Sequence, residues 1–497
     1  MNKRFKNIIL LTVYILFAVA LLFFMNENYG RTIVLEVLLL IWVLVAFLGK
    51  SVLFASLLFL IFTIPFNITY QIPTSLLSYN PFVEGVKVSY MIPTLSIVDL
   101  AFFLVILGSL LDAGFNLLSG FFRHLIIIIP VLVYFIFHNL YFKYSIVHIS
   151  SMRFMLMFFA ILSSYISFPY LKKLVGNNHL FVADLFLIVQ FIIQAVIGLW
   201  QFIVGRSIGA DFLGESVLLK HAYTSSWIDL EGKAYLRAYG TFAHPNIFGI
   251  FLLLLLIYFL FSQTSDITRR IHSNSPIRLL ISFLISIIIV ITLSRTAIVL
   301  AFLAWVIFAF SMIKYTANSF NSLIISPPGF IVERFLQLFS EGRVSVTDRV
   351  ELLKISAKMI KENPFTGVGF GRFVAAMGPD TPWSLGRSLF EPVHNIYMLI
   401  LSEHGVIAGS FLIIYLLILI INSFRSVAMS GKKNYILSGL LFILTISLFF
   451  VGFIDHFLIT LPQGVGLLSI FIFSIIMIGA SFREDLEVDY ADDTDTY

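Results

Sequence analysis

The sequence predicts an all-α polytopic membrane protein with about 12 transmembrane helices (range about 11–13) and a large helical extracytoplasmic loop. Hydrophobic residues make up 59% of the 497 residues and charged residues only 12%, whereas a soluble domain is nearer half apolar and a quarter charged. Apolar runs of membrane-spanning length recur along the chain. One long polar stretch, 314–393, separates two of these runs. Together these observations place the chain among proteins that cross the bilayer many times.

The predicted spans follow from a window of roughly 20 residues per crossing. The apolar runs lie near 8–24, 32–49, 51–65, 97–111, 122–142, 154–170, 182–204, 246–262, 279–313, 395–422, 435–454 and 464–481. The first run follows three basic residues and resembles a signal peptide, but it lacks a small-x-small cleavage site. We therefore predict that it is an uncleaved first span.

Clusters of Lys and Arg set the predicted orientation, because short loops rich in these residues stay in the cytoplasm. The clusters occur at 3–6, 172–173, 269–278 and 425–433. The predicted layout is transmembrane helices over 1–313 with an outer loop at 205–245, an extracytoplasmic cap at 314–393, C-terminal transmembrane helices over 394–482, and an acidic, disordered cytoplasmic tail at 483–497.

The run 279–313 leaves the side of the cap open. Its 35 residues would form a helix of about 52 Å, too long for a single crossing. It is either a hairpin that turns at 294–296, or one crossing followed by an interfacial or re-entrant segment. A hairpin without a compensating crossing would place the cap in the cytoplasm. Arg295 lies near the outer face in both arrangements.

Composition also excludes several kinds of site. The chain has no Cys, so it has no disulfide, thiolate metal site or cysteine nucleophile. Its net charge of +5 is spread over short loops and forms no tract suited to nucleic acid. The outer loops hold no Asp-x-Asp pair for a divalent cation. We predict neither a metal nor a cofactor.

Arg295 is the most anomalous single residue, since mostly apolar residues flank it on both sides. A guanidinium within the bilayer is costly unless it is paired, so an arginine there is a functional candidate. The alternatives are that it snorkels to the interface or pairs with an internal carboxylate such as Glu36 or Glu403.

The outer loop 205–245 ends in a second group of candidates, Arg237, His244 and Asn246. Pro245 suits a first helical turn, and Thr241 or Asn246 is predicted to cap the helix. A helix that begins at the outer face points its free amides outward, which favours phosphate binding. Arg237 would add charge-assisted hydrogen bonds, or it serves as an interfacial anchor, and His244 has no chemical role in the simplest interpretation.

The cap contains a predicted helix and a glycine-rich turn. Ser345-x-x-Asp348 resembles a capping box, and apolar residues then recur at helical period until Asn363-Pro364, where the helix should break. Such a helix lies on the membrane surface or in a solvated cap. The turn Gly367-Val368-Gly369-Phe370-Gly371-Arg372 permits close approach of the backbone, but its spacing is a weak phosphate-binding signal.

The cap ends at His394, Asn395 and Tyr397, where an apolar run begins. A histidine at this interface is a structural residue or one that meets a lipid headgroup and a water-soluble partner. Glu403 is nine residues further on, and so on the opposite helix face from His394. It is predicted to support the bundle by pairing with an arginine or a helix end. Asp455 and His456, in the next outer connection, are secondary candidates by position.

The order of these motifs resembles the O-antigen ligase and O-antigen polymerase superfamily over roughly 190–425. The motifs are Arg237…His244-Pro245-Asn246…Gly249, Leu293-Ser294-Arg295, Asn363-Pro364-x-x-Gly367-x-Gly369-x-Gly371 and His394-Asn395-x-Tyr397…Glu403-x-Gly405. The resemblance implies a bacterial glycosyltransferase of GT-C-like, all-helical architecture in the cytoplasmic (inner) membrane, with an outward-facing active site. It implies a metal-independent, inverting transfer of a glycan from undecaprenyl pyrophosphate to a glycan or lipid acceptor.

The resemblance also implies roles for the candidate residues. Arg237 and Arg295 would bind the donor pyrophosphate, and His394 would activate or orient the acceptor hydroxyl. Donor or acceptor contacts are expected from His244, Asn246, Arg372, Asn395 and Tyr397. The residues do not separate ligase from polymerase. A flippase for lipid-linked glycans is the alternative function, although no internal repeat of broken helices is evident, and a non-catalytic scaffold would leave Arg295 unexplained.

Overall fold

The protein was analysed as a computed structural model that describes residues 29–77, 79–83, 86–218, 225–230, 233–262, 275–315, 343–377, 383–384, 387–388, 390–429 and 435–494. The described helices are α1 Tyr29–Gly49, α2 Val52–Thr63, α3 Ile97–Ala113, α4 Phe115–Arg123, α5 Leu125–Tyr141, α6 Ser145–Leu174, α7 Asn177–Val204, α8 Pro245–Phe261, α9 Ser275–Ile291, α10 Arg295–Tyr315, α11 Arg343–Glu362, α12 Phe373–Met377, α13 Ile396–Met429, α14 Tyr435–Ile454, α15 Phe457–Thr460 and α16 Pro462–Thr494.

Four short antiparallel strand pairs decorate the connections between helices. They are β1 Thr69–Gln71 with β4 Thr94–Ser96, β2 Phe82–Val83 with β3 Val86–Lys87, β5 Trp227–Leu230 with β6 Lys233–Leu236, and β7 Trp383–Ser384 with β8 Arg387–Ser388. The prediction of an all-α chain did not include these hairpins. Each hairpin or strand pair joins only two to four residues of each strand.

The predicted apolar runs coincide with helices throughout the described chain, so the all-helical, polytopic membrane architecture is confirmed. The span count is not. Five described helices are long and apolar enough to cross a bilayer, or six if the bent pair α3 and α4 is one span. Six further helices contain shorter apolar stretches of 10–17 residues. The predicted first span at 8–24 lies outside the described residues.

The run 279–313 forms two helices, α9 and α10, that are separated by the turn 292–294. This is the hairpin alternative. Leu293 has φ of 51°, a left-handed conformation that non-glycine residues adopt rarely and at a cost of about 1–3 kcal/mol. The turn therefore breaks the helix where the sequence placed its polar residues, Ser294 and Arg295.

Helix contacts show where the ends of α10 lie. A Cβ added to Gly249 near the start of α8 would be 2.8 Å from Ala297 near the start of α10. At the other end of α10, a Cβ on Gly439 would be 2.7 Å from Ser311. Because Gly439 lies near the start of α14 and Gly452 near its end packs on Ile396, α10 runs away from the level at which α13 begins. Tyr315 and His394 therefore lie toward opposite ends of α10, as a compensating return of the chain would require.

The described part of the cap differs in detail from its prediction. Helix α11 begins at Arg343, two residues before Ser345, so Ser345 lies inside the helix rather than at its N-cap. The helix ends at Glu362, immediately before Asn363-Pro364, as predicted. Most of 314–342 lies outside the described residues. At the other end of the chain, α16 extends to Thr494 and thus includes most of the segment predicted to be a disordered tail.

The glycine-rich turn docks against a kink in α13. Gly367 has φ of 65° and Gly405 has φ of 77°, and the two backbones touch where any side chain would clash. The backbone N–H of Gly369 donates to the carbonyl of Glu403 at 3.0 Å. The turn therefore holds the kinked helix, and its close approach is to protein rather than to a phosphate.

Candidate active site

Arg237 is fixed on the side of the membrane where α8, α10 and α13 begin. Its Nε donates to the carbonyl of Thr292 at 2.9 Å, its Nη1 to Ser226 Oγ at 3.2 Å and its Nη2 to Asn246 Oδ1 at 2.7 Å. A guanidinium has five N–H donors, and these three contacts use one each. All three partners are uncharged, so the cation is oriented without being neutralised and keeps donors for an anion.

Arg295 is the first residue of α10 and its side chain is exposed. Within the part of the chain that the structure describes, it makes no hydrogen bond or ion pair. It is paired with neither Glu36 nor Glu403, the carboxylates considered from the sequence. Burial lowers the pKa of Arg237 to about 10, and the charge of Arg295 acts in the same direction. Two guanidiniums from distant segments are thus close enough to repel one another.

His244 is the N-cap of α8, a role that the sequence assigned to Thr241 or Asn246. Its Nδ1 accepts a hydrogen bond from the backbone N–H of Asn246 at 3.2 Å. Burial, helped by the nearby charge of Arg237, lowers the pKa of His244 to about 3. The ring is therefore neutral at pH 7, with its proton on Nε2.

Asn246 connects Arg237 to an acidic residue. While Oδ1 accepts from Arg237, the Nδ2 amide donates to Asp455 Oδ2 at 3.0 Å. Asp455 follows the last residue of α14, more than 200 positions along the chain. The sequence singled it out by its position in an outer connection alone.

His394 lies between two carboxylates. Its Nε2 is 3.2 Å from Glu391 Oε2, and its Nδ1 is 3.6 Å from Asp455 Oδ1, which is an ion-pair distance rather than a hydrogen bond. Burial alone would lower the pKa of His394, but the two carboxylates outweigh it and raise the pKa to about 9. At pH 7 the group is an imidazolium, whereas acceptance of a proton requires the neutral ring.

Both carboxylates stay ionised. The hydrogen bond from His394 lowers the pKa of Glu391 although burial opposes it. Burial would raise the pKa of Asp455, but contacts with His394 and the other histidines hold it well below its usual range. Three cations, Arg237, Arg295 and His394, therefore face two carboxylates, which leaves the cluster with an excess of positive charge suited to an anionic ligand.

Four other predicted residues lie apart from this cluster or use their polar groups in contacts with other parts of the protein. Asn395 caps α13, accepting from the N–H of Met398 at 3.0 Å, and Tyr397 donates to the carbonyl of Phe449 at 3.2 Å. Arg372 stacks over the Tyr144 ring at 3.6 Å. Glu403 Oε1 accepts from the N–H of Phe373 at 3.1 Å, so it supports a helix end, α12, rather than an arginine.

Residues 247–413 match the family model described as O-Antigen ligase. The resemblance to the O-antigen ligase and polymerase superfamily is confirmed. No curated protein matches the chain significantly.

The O-antigen ligase match covers part of the cluster. It includes Arg295 and His394, whereas Arg237 precedes it and Asp455 follows it. Asn246, one residue before the matched segment, bonds to both of these flanking residues. The fold therefore joins two groups outside the O-antigen ligase segment to the two candidates inside it.

A cation could also be held here on geometric grounds. His394, Asp455 and His456 each offer a ligand atom, and these atoms lie within 4.8 Å of one another. Nitrogen and carboxylate ligands of this kind suit zinc. Their arrangement is equally accounted for by the His394–Asp455 ion pair, since a metal ion would have to displace the proton of His394. Metal independence of this O-antigen ligase-like protein remains a prediction.

Proposed function

We propose that this protein is a glycosyltransferase that moves a glycan from an undecaprenyl-pyrophosphate donor to a glycan or lipid acceptor, as an O-antigen ligase or polymerase does. The observation that carries the proposal is the connection of Arg237, which lies near Arg295, through Asn246 to the Asp455–His394 pair. The arginines of this cluster suit a pyrophosphate, and the Asp455–His394 pair suits a hydroxyl group. A family match to O-Antigen ligase supports the same reaction class.

The chemistry follows from the charges. The bond between the sugar C1 and the pyrophosphate oxygen breaks with its electron pair on the leaving pyrophosphate, while a bond forms from C1 to the acceptor oxygen. Direct attack from the opposite face inverts the anomeric centre. Arg237 and Arg295 stabilise the charge that develops on the leaving group. Arg237 needs no reorientation during the reaction, because Thr292 and Asn246 already hold it. In this proposal the guanidiniums serve where other enzymes use a divalent cation.

The proposal extends to the membrane. We propose that the six shorter apolar helices also cross, which would bring the spans to about 12 in a GT-C-like arrangement. The cluster then faces outward from the bacterial cytoplasmic membrane, where lipid-linked glycans are joined to their acceptors.

Reconstituted transfer tests the function. Purified protein in proteoliposomes would be given an undecaprenyl-pyrophosphate glycan and an acceptor, with and without a chelator, and the product measured by mass. We expect transfer that survives chelation and that falls about 10- to 100-fold in Arg295→Gln, because one charge-assisted contact contributes roughly 1.5–3 kcal/mol. Arg206→Gln, an exposed arginine of the 205–245 loop, is the matched control. Movement of donor across the bilayer without transfer would establish a flippase instead.

A further inference from the structure

The two ring nitrogens of His394 both face carboxylates. Nε2 points to Glu391 at 3.2 Å and Nδ1 to Asp455 at 3.6 Å. An acceptor hydroxyl that delivers its proton to His394 would need a nitrogen that is unprotonated and unobstructed. Neither condition holds in this arrangement, so the proton acceptor of the proposed reaction must be sought among the neighbours of His394.

The neighbouring histidines are poorly placed for that role. His244 uses Nδ1 to cap α8, and His456 is almost completely buried with its Nδ1 on Thr460 Oγ1 at 2.8 Å. Asp455 is also buried, and its two oxygens already accept from Asn246 Nδ2 and from the backbone N–H of His456. These contacts occupy the Nδ1 atoms of both histidines and both oxygens of Asp455.

Glu391 differs from them in exposure and in bonding. Its side chain is 40% exposed, against 11% for Asp455 and 22% for His394. One carboxylate oxygen, Oε2, contacts His394, and within the described chain Oε1 has no hydrogen-bond partner. We propose that Glu391, rather than His394, accepts the proton of the acceptor hydroxyl, and that His394 acts as the positioning residue that orients its carboxylate. This inference rests on the proposed glycosyl transfer.

The acceptor O–H proton moves to Glu391 Oε1 as the acceptor oxygen bonds to the sugar C1, and the C1–O bond to pyrophosphate breaks toward the arginines. A carboxylate is a weak base, but the hydroxyl becomes acidic only as its oxygen bonds to carbon, so a strong base is not required. Asp455 holds the imidazolium in position from the other side. The exposed Glu391 then releases its proton to solvent, which returns the site to its starting state.

The surroundings of Glu391 set the expected pH dependence. Glu391 interacts with His394 from its own segment, His456 from the α14–α15 connection, His244 from the start of α8 and Tyr90 from the connection before β4. Asp455 and, from α11, Arg349 act on His394. A base whose pKa lies below its ordinary value is fully ionised at pH 6, so transfer should be nearly constant from pH 6 to 8. If His394 were the base, with a pKa of about 9, transfer would rise roughly tenfold per pH unit over that range.

The decisive variant is Glu391→Gln, assayed in proteoliposomes from pH 6 to 9.5. The amide cannot accept a proton, so we expect transfer to fall about 100- to 10,000-fold at every pH, with partial activity in Glu391→Asp. Glu351→Gln, whose exposed carboxylate pairs only with Lys354 among the described residues, should match the wild type. Removal of Glu391 also removes a charge that raises the pKa of His394. If His394 is the base, Glu391→Gln will therefore be active, with a profile moved to lower pH, and this result would overturn the inference.

Two controls keep the outcome interpretable. Glu391→Gln should still bind sugar-free undecaprenyl pyrophosphate with the wild-type Kd, because Glu391 lies on the acceptor side, and retained binding shows that the variant is folded. A wild type that transfers nothing overturns the proposed function and this inference together. A wild type that transfers, beside a Glu391→Gln variant of equal rate, overturns the inference alone.

Discussion

At the scale of single side chains, the cluster depends most on Asn246. Its amide has one acceptor and one pair of donors, and the structure uses both kinds, toward Arg237 at 2.7 Å and Asp455 at 3.0 Å. A carboxylate at this position would repel Asp455, and an amine would repel Arg237. A short amide can accept from a cation and donate to an anion at once.

Truncation of this bridge is therefore expected to reduce transfer without unfolding the protein. In Asn246→Ala, Arg237 loses one of its three orienting contacts and Asp455 one of its donors, at a cost of about 1.5–3 kcal/mol. Initial rates in the proteoliposome assay should fall about 10- to 100-fold. Asn139→Ala, which removes an amide bonded to the carbonyl of Phe135 in α5, is the matched control. Equal rates in the two variants would show that the bridge does not matter.

At the scale of elements, the cluster is built from residues at the ends of helices. The N-termini of α8, α10 and α13 carry His244, Arg295 and Asn395, and the C-terminus of α14 carries Asp455. Three helix N-termini add partial positive charge to that of the arginines. The turn before α10 brings its first residue beside Arg237, because the carbonyl of Thr292 accepts from Arg237 Nε.

Close packing of α8 on α10 keeps these ends together. A methyl group at Gly249 would lie 2.8 Å from Ala297 Cβ, which is too near for two carbons, so the helices must separate. We expect Gly249→Ala to destabilise the protein by about 1–3 kcal/mol and to lower transfer. Thermal unfolding in detergent and the rate assay measure the two effects. Gly176→Ala, where nothing lies within 4 Å of the added carbon, should leave both unchanged, and a Gly249→Ala variant equal to it would contradict the packing argument.

The helices were largely predictable from the sequence, because apolar runs in a bilayer leave few alternatives to a helix. Helix α8 begins at Pro245, and α11 ends before Asn363-Pro364, where proline chemistry indicated. The sequence also identified Arg237, Arg295 and His394. It could not place Asp455 and Glu391 on either side of one imidazole, because that depends on contacts between segments far apart in the chain. For the same reason it left open whether His394 activates or orients the acceptor hydroxyl.

The whole molecule has its cluster on one side of the membrane, and the proposed function requires that side to face outward. The absence of Cys allows a direct test, since an introduced cysteine would be the single thiol. Ser75 is exposed in the connection between β1 and β4, on the side of the cluster. Lys173 is exposed near the C-terminal end of α6, on the opposite side.

Labelling of intact cells with a membrane-impermeant maleimide should distinguish the two orientations. We expect Ser75→Cys to be labelled from outside, and Lys173→Cys to be labelled only after the cells are permeabilised. Both variants need to retain wild-type transfer to be informative. The reverse pattern would place the cluster in the cytoplasm and contradict the proposed site of action.

The central claim, that Arg237 and Arg295 form one pyrophosphate site, is tested most directly by the Kd of sugar-free undecaprenyl pyrophosphate. Binding would be measured for the wild type, Arg237→Gln, Arg295→Gln and the control Arg206→Gln. We predict that each of the two site variants weakens binding about 10- to 100-fold, while Arg206→Gln binds as the wild type does. Wild-type affinity in both site variants would contradict the account.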